Sequence, residues 1–216
     1  MSHEGWQEFD PGSLTGEEMY HLLNAAVVPR PIAWVSTVSA AGVPNLAPHS
    51  YFTAVSPEPP IVCFSSGGEK DTLRNLRHTR DFVVNVVPEE LAEAMNLTSA
   101  DFPPGESEFA AAGLTPEPSS RVHAPRLLES PVSMECVVEQ EVDVGDKPNT
   151  VVFGRVVALH VANRVIREGR IDVSAIRPVG RLAGAGYAWT REFFSMPRPT
   201  YAGLKAQWEA QKGSPG

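Results

Sequence analysis

A chain of 216 residues with a formal net charge of −8 is large enough for one well-buried domain and small for two. Its acidic residues are dispersed and no basic stripe interleaves with aromatic residues, which argues against nucleic acid and an anionic membrane surface as partners. No apolar run approaches the roughly 18–20 residues that span a bilayer. The opening MSHEGWQEFD lacks the basic region and apolar stretch of a signal peptide, so the expected location is cytoplasmic.

In chain order, residues 1–14 read as an arm. Thr15-Gly16-Glu17-Glu18 is a capping box that predicts a helix with Met19, Leu22, Leu23 and Ala26 on one face, ending before Pro29. Ile32–Ser39 alternates in polarity and reads as a strand closed by Ala40-Ala41-Gly42. Asn45–Ser50 is a small-residue segment with Pro48 in its middle. Tyr51–Ser56 resumes the alternation, Pro57-Glu58-Pro59-Pro60 breaks it, and Ile61–Ser66 is a short apolar run ending in hydroxyls. After Gly67-Gly68 a second helix is expected, capped at Asp71 or Thr72, with Leu73 and Leu76 inward and Arg74, Arg77 and Arg80 along a solvated side. Asp81–Val87 reads as a strand buried on both faces, and Pro88-Glu89-Glu90 starts a third helix to about Leu97.

From Thr98 to Pro131 the chain carries six prolines and weak periodicity: a surface excursion with a short helix around Ser107–Ala112, acting as a lid, a dimer contact or a plain packed loop. Two long strands follow at Val132–Val142 and Val151–Ala162, joined as a hairpin through 145–149. Asp172–Ile176 suits one helical turn and Arg181–Trp189 a glycine-interrupted strand. The tail, 190–216, holds Phe193, Phe194, Met196, Tyr201, Leu204 and Trp208, which are expected to pack on the body or across a subunit boundary. One β-barrel domain with peripheral helices accounts for the whole chain. Cys63 and Cys136 lie in apolar runs and read as small buried hydrophobes, and neither they nor the six scattered histidines have metal-ligand spacing.

The chemistry gathers at the strand ends, where Ser36, Thr37, Asn45, Ser50, Ser65 and Ser66 are suited to line a flat ligand with polar edges. Pro48 has no N–H, so main-chain donors there come from Asn45, Leu46, Ala47, His49 and Ser50. Lys70-Asp71-Thr72 sets a cation and a hydroxyl at the start of a helix, which is either an ordinary cap with its lysine in solvent or an anion site. Arg30 either serves the same anion or pairs with an acid at the strand entrance. Gly184-Ala185-Gly186 lacks the strand-turn-helix frame of a dinucleotide fingerprint. A Ser/His/Asp hydrolase assembled from Ser50, His49 or His160 and Asp71 has no support in the spacing.

Several runs together resemble the flavin reductase-like family of FMN-binding split barrels. They are Pro29–Thr37, Asn45–Ser50, Ser56-Pro57 with Pro59-Pro60, Lys70–Asn75, Asp81–Asn85, Ser130-Pro131 with Glu135-Cys136, Gly154 with Val156 and His160, and Arg198-Pro199. The resemblance implies an antiparallel split β-barrel, mainly β with peripheral helices, that forms a homodimer with the flavin near the subunit boundary. It further implies that Ser36, Thr37, Asn45 to Ser50, Ser65 and Ser66 line the flavin, that Lys70, Asp71 and Thr72 take its phosphate or ribityl chain, and that His160 lies near the ring. Arg181 and Tyr187 become candidates to reach the site at the boundary. The expected activity is transfer of hydride from NADH or NADPH through FMN to free flavin, a ferric complex or a partner monooxygenase. The alternatives are a flavin electron carrier without nicotinamide turnover and a structural barrel without flavin. No obligate catalytic side chain is assigned, because the cofactor itself carries the hydride.

Overall fold

The structure is a computed structural model that describes residues 5–103, 105–147 and 149–212. Helix α1, Gly16–Ala26, begins at the expected capping box: Glu18 N–H donates to Thr15 Oγ1 at 3.2 Å, and the Glu18 carboxylate accepts from Thr15 N at 2.8 Å. Its apolar face does not pack inward. Leu23 and Tyr20 are exposed, Met19 and Leu22 half-buried, and Asn24 is the helix's buried residue. The helix is tied to the body at its end, where the Arg30 guanidinium donates to the Asn24 and Val27 carbonyls at 2.8 and 2.7 Å.

Strand β1, Arg30–Pro31, leads into β2, Ala33–Val38, and a tight turn reverses the chain into β3, Pro44–His49. The small-residue segment from Asn45 to His49 is therefore a strand. Its proline is tolerated because β3 lies at the edge of the sheet and pairs with β2 alone, Pro48 standing opposite Trp34. Strands β4, Phe52–Pro57, and β5, Pro60–Gly67, form the next hairpin. Helix α2, Asp71–Thr79, buries Leu73 and Leu76, and β6 follows at Asp81–Val86. The expected Arg77 and Arg80 surface stripe meets Glu141 at 2.8 and 2.7 Å. The long hairpin is β9, Val132–Val144, with β10, Asn149–Val161; β10 slips register between Phe153 and Gly154 and again between Val156 and Ala158.

These strands form an antiparallel seven-stranded sheet in the order β3-β2-β6-β9-β10-β5-β4. The two end strands, β3 and β4, are consecutive in the chain and joined through Ser50 and Tyr51, so the sheet rolls round until its edges meet. No ladder closes between them, and the barrel is split. Inside lie Val35, Phe64, Phe82, Val84, Cys136 and Val152, plugged by Leu73 and Leu76 of α2. The other face of β2 and β6 is also covered, by a layer of Trp34, Leu46, Met95, Phe109 and Leu127.

That outer layer is built by the excursion. Helix α3, Ala92–Leu97, and the short α4, Glu108–Ala111, supply Met95 and Phe109, and β7, Pro116–Glu117, pairs with β8, Arg126–Leu127. Buried carboxylates of the sheet hold the segment down by its main chain. Glu135 accepts from Ser120 N at 2.8 Å and Arg121 N at 2.6 Å; Asp81 accepts from His123 N at 3.0 Å and Ala124 N at 3.1 Å. Burial pushes the Glu135 carboxyl up, but the two amides and His160 outweigh it and hold the group below its ordinary value.

The chain ends with β11, Ile166–Arg167, and β12, Arg170–Ile171, then α5, Val173–Ile176, β13, Val179–Arg181, β14, Tyr187–Trp189, and α6, Tyr201–Lys212. Strands β1, β13 and β14 make a separate three-stranded sheet. The tail is tied to the body at its start, where Arg191 Nε meets Glu89 at 2.9 Å, but its large apolar residues stay out: Phe194 is 82% exposed and Phe193, Met196, Tyr201 and Trp208 are exposed with it. No helix among the described residues is long and apolar enough to cross a membrane.

Gly154 marks where the barrel interior is tightest. A Cβ there would lie 2.3 Å from Phe82 Cζ and 3.1 Å from Cys136 Cβ, both held by the core. Gly154→Ala is expected to cost roughly 2–3 kcal/mol of stability by overpacking, read as a lower urea midpoint at unchanged m-value.

Candidate functional site

The open seam of the barrel is where polar groups collect. The ends of β3 and β5, the first turn of α2, the segment 98–102 after α3, and Tyr20, Glu108 and Asn149 surround a cleft of about 560 Å³. That volume suits a ligand of cofactor size. Ten of the residues expected at the site meet here: Asn45, Ala47, Pro48, His49, Ser50, Ser65, Ser66, Lys70, Asp71 and Thr72. Pairing of β5 with β10 sets Asn149 opposite Gly67, which brings the base of the long hairpin to the same wall.

Three polar atoms of this wall are buried without a partner: Asn45 Nδ2, His49 Nε2 and Ser66 Oγ. Each such group costs about 1–3 kcal/mol unless something bonds it. A fourth source of donors is α2, whose first turn no side chain caps, leaving its leading amides for a ligand. The His49 ring lies 4.7 Å from the Phe64 ring. Burial lowers its pKa to about 4, a main-chain hydrogen bond with Ser65 opposing this and the Lys70 charge adding to it, so the imidazole is neutral at pH 7. Glu108 lies opposite: burial raises its pKa, against the bond it accepts from Leu46 N at 3.0 Å. At the mouth, Lys70 Nζ lies 2.8 Å from Asp101, and Arg74 pairs with Asp71.

Six expected residues stand elsewhere, engaged by other groups. Ser36 Oγ donates to the Pro125 carbonyl at 2.5 Å and accepts from Asn85. Thr37 Oγ1 accepts from Asn75 Nδ2 at 3.0 Å. Leu46 gives its N–H to Glu108 and its side chain to the outer apolar layer. Arg30 neither faces the cleft nor pairs with an acid; its guanidinium is buried against the carbonyls of Asn24, Val27 and Leu182. His160 Nε2 is 2.6 Å from buried Glu135, away from the cleft lining. Arg181 lies over the Tyr187 ring at 4.5 Å and bonds the Gly184 carbonyl, outside the cleft of its own chain. Sequence reasoning missed Tyr20, Tyr51, Glu69, Arg74, Phe102, Glu108 and Asn149. The Pro-rich composition after Thr98 was the available signal for part of that wall.

A rolled antiparallel sheet with an unclosed seam, and a polar cleft in that seam, defines a split barrel. The comparisons agree. The flavin reductase like domain matches residues 25–191. The chain is 45% identical over 202 residues to an uncharacterised protein of Halalkalibacterium halodurans, covering 89% of this chain and 97% of that one. It resembles nitrilotriacetate monooxygenase component B from Bacillus cereus with a TM-score of 0.85 at 38% identity, over 89% of this chain and 99% of that one. It resembles 2-nitrobenzoate 2-nitroreductase NbaA of Pseudomonas fluorescens with a TM-score of 0.84 at 34% identity, over 90% and 98%. The chain belongs to the flavin reductase-like domain family.

The cleft fits the flavin that this family implies. Unpartnered Asn45, His49 and Ser66 suit the hydrogen-bonding edge and hydroxyls of such a ligand, and small Ala47 and Pro48 allow a flat ring to approach the strand.

The neutral His49 makes stability depend on acid. The folded imidazole titrates at about 4 against an ordinary 6.5, so the unfolded chain takes the proton first as pH falls. Stability present above pH 6.5 is therefore lost progressively towards pH 4. His49→Phe is expected to flatten that limb of a stability-against-pH curve measured by urea denaturation, with the wild type falling more steeply over the same interval.

Proposed function

We propose that the protein binds FMN in this cleft and passes hydride from NADH or NADPH through it to an acceptor. The observation that carries the reading is the trio of buried, unpartnered polar atoms beside an uncapped helix start that also bears Lys70. In this reading the ring lies along β3, and the phosphate sits at the first turn of α2 with Lys70 and Thr72. The flavin supplies the electron-accepting ring when bound; the chain's own part is to bind, orient and shield. The β3 edge and Ser66 offer fixed hydrogen-bond groups, and His49 meets the ligand uncharged. The segment 98–102, with Phe102, walls the cleft on the side of Lys70.

The acceptor is free flavin, a ferric complex or a partner monooxygenase. The likeness to a component of nitrilotriacetate monooxygenase favours the last. The protein works as a homodimer, a reading supported by exposed Tyr20, Leu23, Val27, Phe193, Phe194 and Met196, more apolar surface than a lone chain usually presents to water. Light scattering is expected to give twice the mass of one chain, and a monomer at micromolar concentration sinks this part.

Purified protein titrated with FMN is expected to quench flavin fluorescence, and anaerobic NADH or NADPH to bleach the bound flavin's visible band. A flavin that binds but is reduced by neither nucleotide makes the protein an electron carrier instead. Lys70→Ala is expected to weaken FMN by about five- to tenfold through loss of a charge-assisted contact, with little effect on riboflavin or on the thermal midpoint. Equal loss for both flavins removes Lys70 from the phosphate.

A further inference from the structure

The charges around the cleft are unusual for a place that receives a phosphate. Two cations line it, Lys70 and Arg74, against four carboxylates, Glu69, Asp71, Asp101 and Glu108. Both cations are already engaged: Lys70 Nζ lies 2.8 Å from Asp101 Oδ1, and Arg74 holds Asp71 and the Glu69 carbonyl. Asp101 is carried by the irregular segment after α3, on the opposite side of the cleft from Lys70 in the chain, and both of its pair are well exposed. The hydrogen bond and charge of Lys70 hold the Asp101 carboxyl below its ordinary value, so it is ionised at neutral pH.

We propose that Asp101 is a specificity-determining residue that competes with the ligand's phosphate for Lys70, so that the phosphate adds little to affinity and the flavin stays exchangeable. The inference rests on the flavin reading above and extends it. A dianion arriving at the first turn of α2 meets a lysine whose charge is already shared, and gains it only by displacing a carboxylate that then remains close by. That repulsion offsets much of what the helix start and Lys70 offer. Recognition of the uncharged part has no such competitor. Asn45 and Ser66 are more than nine-tenths buried, present unpartnered polar atoms in the same cleft, and do so in a sheet rather than in a loop. Ring and ribityl contacts therefore dominate, and riboflavin and FMN bind with similar strength. Such a protein releases its flavin readily, as one using flavin as a substrate or handing it to a partner needs to.

The test compares dissociation constants of FMN and riboflavin, from fluorescence quenching at low ionic strength, for the wild type, Asp101→Asn and the double variant Lys70→Ala/Asp101→Asn. Both sites are exposed, so folding is expected to be unaffected and is checked by circular dichroism. Asp101→Asn is expected to tighten FMN by about five- to tenfold, the scale of an exposed pair plus the lifted repulsion, and to leave riboflavin unchanged. The double variant is expected to lose that gain, and added salt to shrink it. FMN bound at least a hundredfold more tightly than riboflavin by the wild type overturns the proposal, as does an Asp101→Asn effect equal for both flavins. Either result leaves flavin binding itself intact, whereas no binding of either flavin by any of the proteins ends both readings.

Discussion

The structure depends on one unmade set of hydrogen bonds: the ladder that would close the barrel between β3 and β4. Six pairings wrap the sheet from one strand to the other, and the chain itself links the two edges through Ser50 and Tyr51, yet no ladder joins them. An open edge normally invites another strand. Here the edge is blunted by Pro48, which has no N–H to offer, and by the short residues around it. What remains is a short, proline-interrupted edge lining a cleft. The cleft is thus a consequence of how the barrel fails to close, and α2 needs only to follow β5 directly for its uncapped start to face that gap.

The distribution of satisfied and unsatisfied polar groups makes the same point energetically. Along the excursion, the oxygens of buried Asp81, Asn85 and Glu135 are matched by amides of residues 120–127, four of those bonds going to carboxylates. At the seam, buried Asn45, His49 and Ser66 are left with nothing. A fold that can satisfy carboxylates in its interior does not lack the means to satisfy a serine. Arg30 Nε and Arg126 Nε are left without a hydrogen-bond partner elsewhere, but three such atoms gather in one place only at the seam cleft, among the described residues.

Much of the architecture was legible in local patterns. The capping box at Thr15, the alternation of β2, the helix after Gly68 and the doubly buried β6 each follow from spacing within ten residues. Two features depend on relations that no local pattern carries. Pro48 sits within a strand, and the position of β3 at an edge, a property of the whole sheet, is what makes it acceptable. The apolar residues of α1 share one face as expected, but the helix is fastened by Arg30 to backbone carbonyls, and Tyr20 and Leu23 stay exposed.

The site residues divide along the same line. Ser65, Ser66 and Lys70 reach the cleft because β5 runs straight into the turn before α2, a connection visible in sequence. Ser36 and Thr37 looked equivalent, but their hydroxyls are consumed by Pro125 and Asn75, the first of these 89 residues away in the chain. His160 is the sharper case. A histidine in a strand near a polar site has the composition of a cofactor contact, and what decides its role is Glu135 on the neighbouring strand, brought beside it by a register that a bulge at Gly154 to Ala158 has shifted. Gly154, at the first of these shifts, is also where Phe82 leaves no room for a Cβ. The ladder register thus gives His160 a partner within the sheet, whereas His49 lines the cleft with its Nε2 unpartnered.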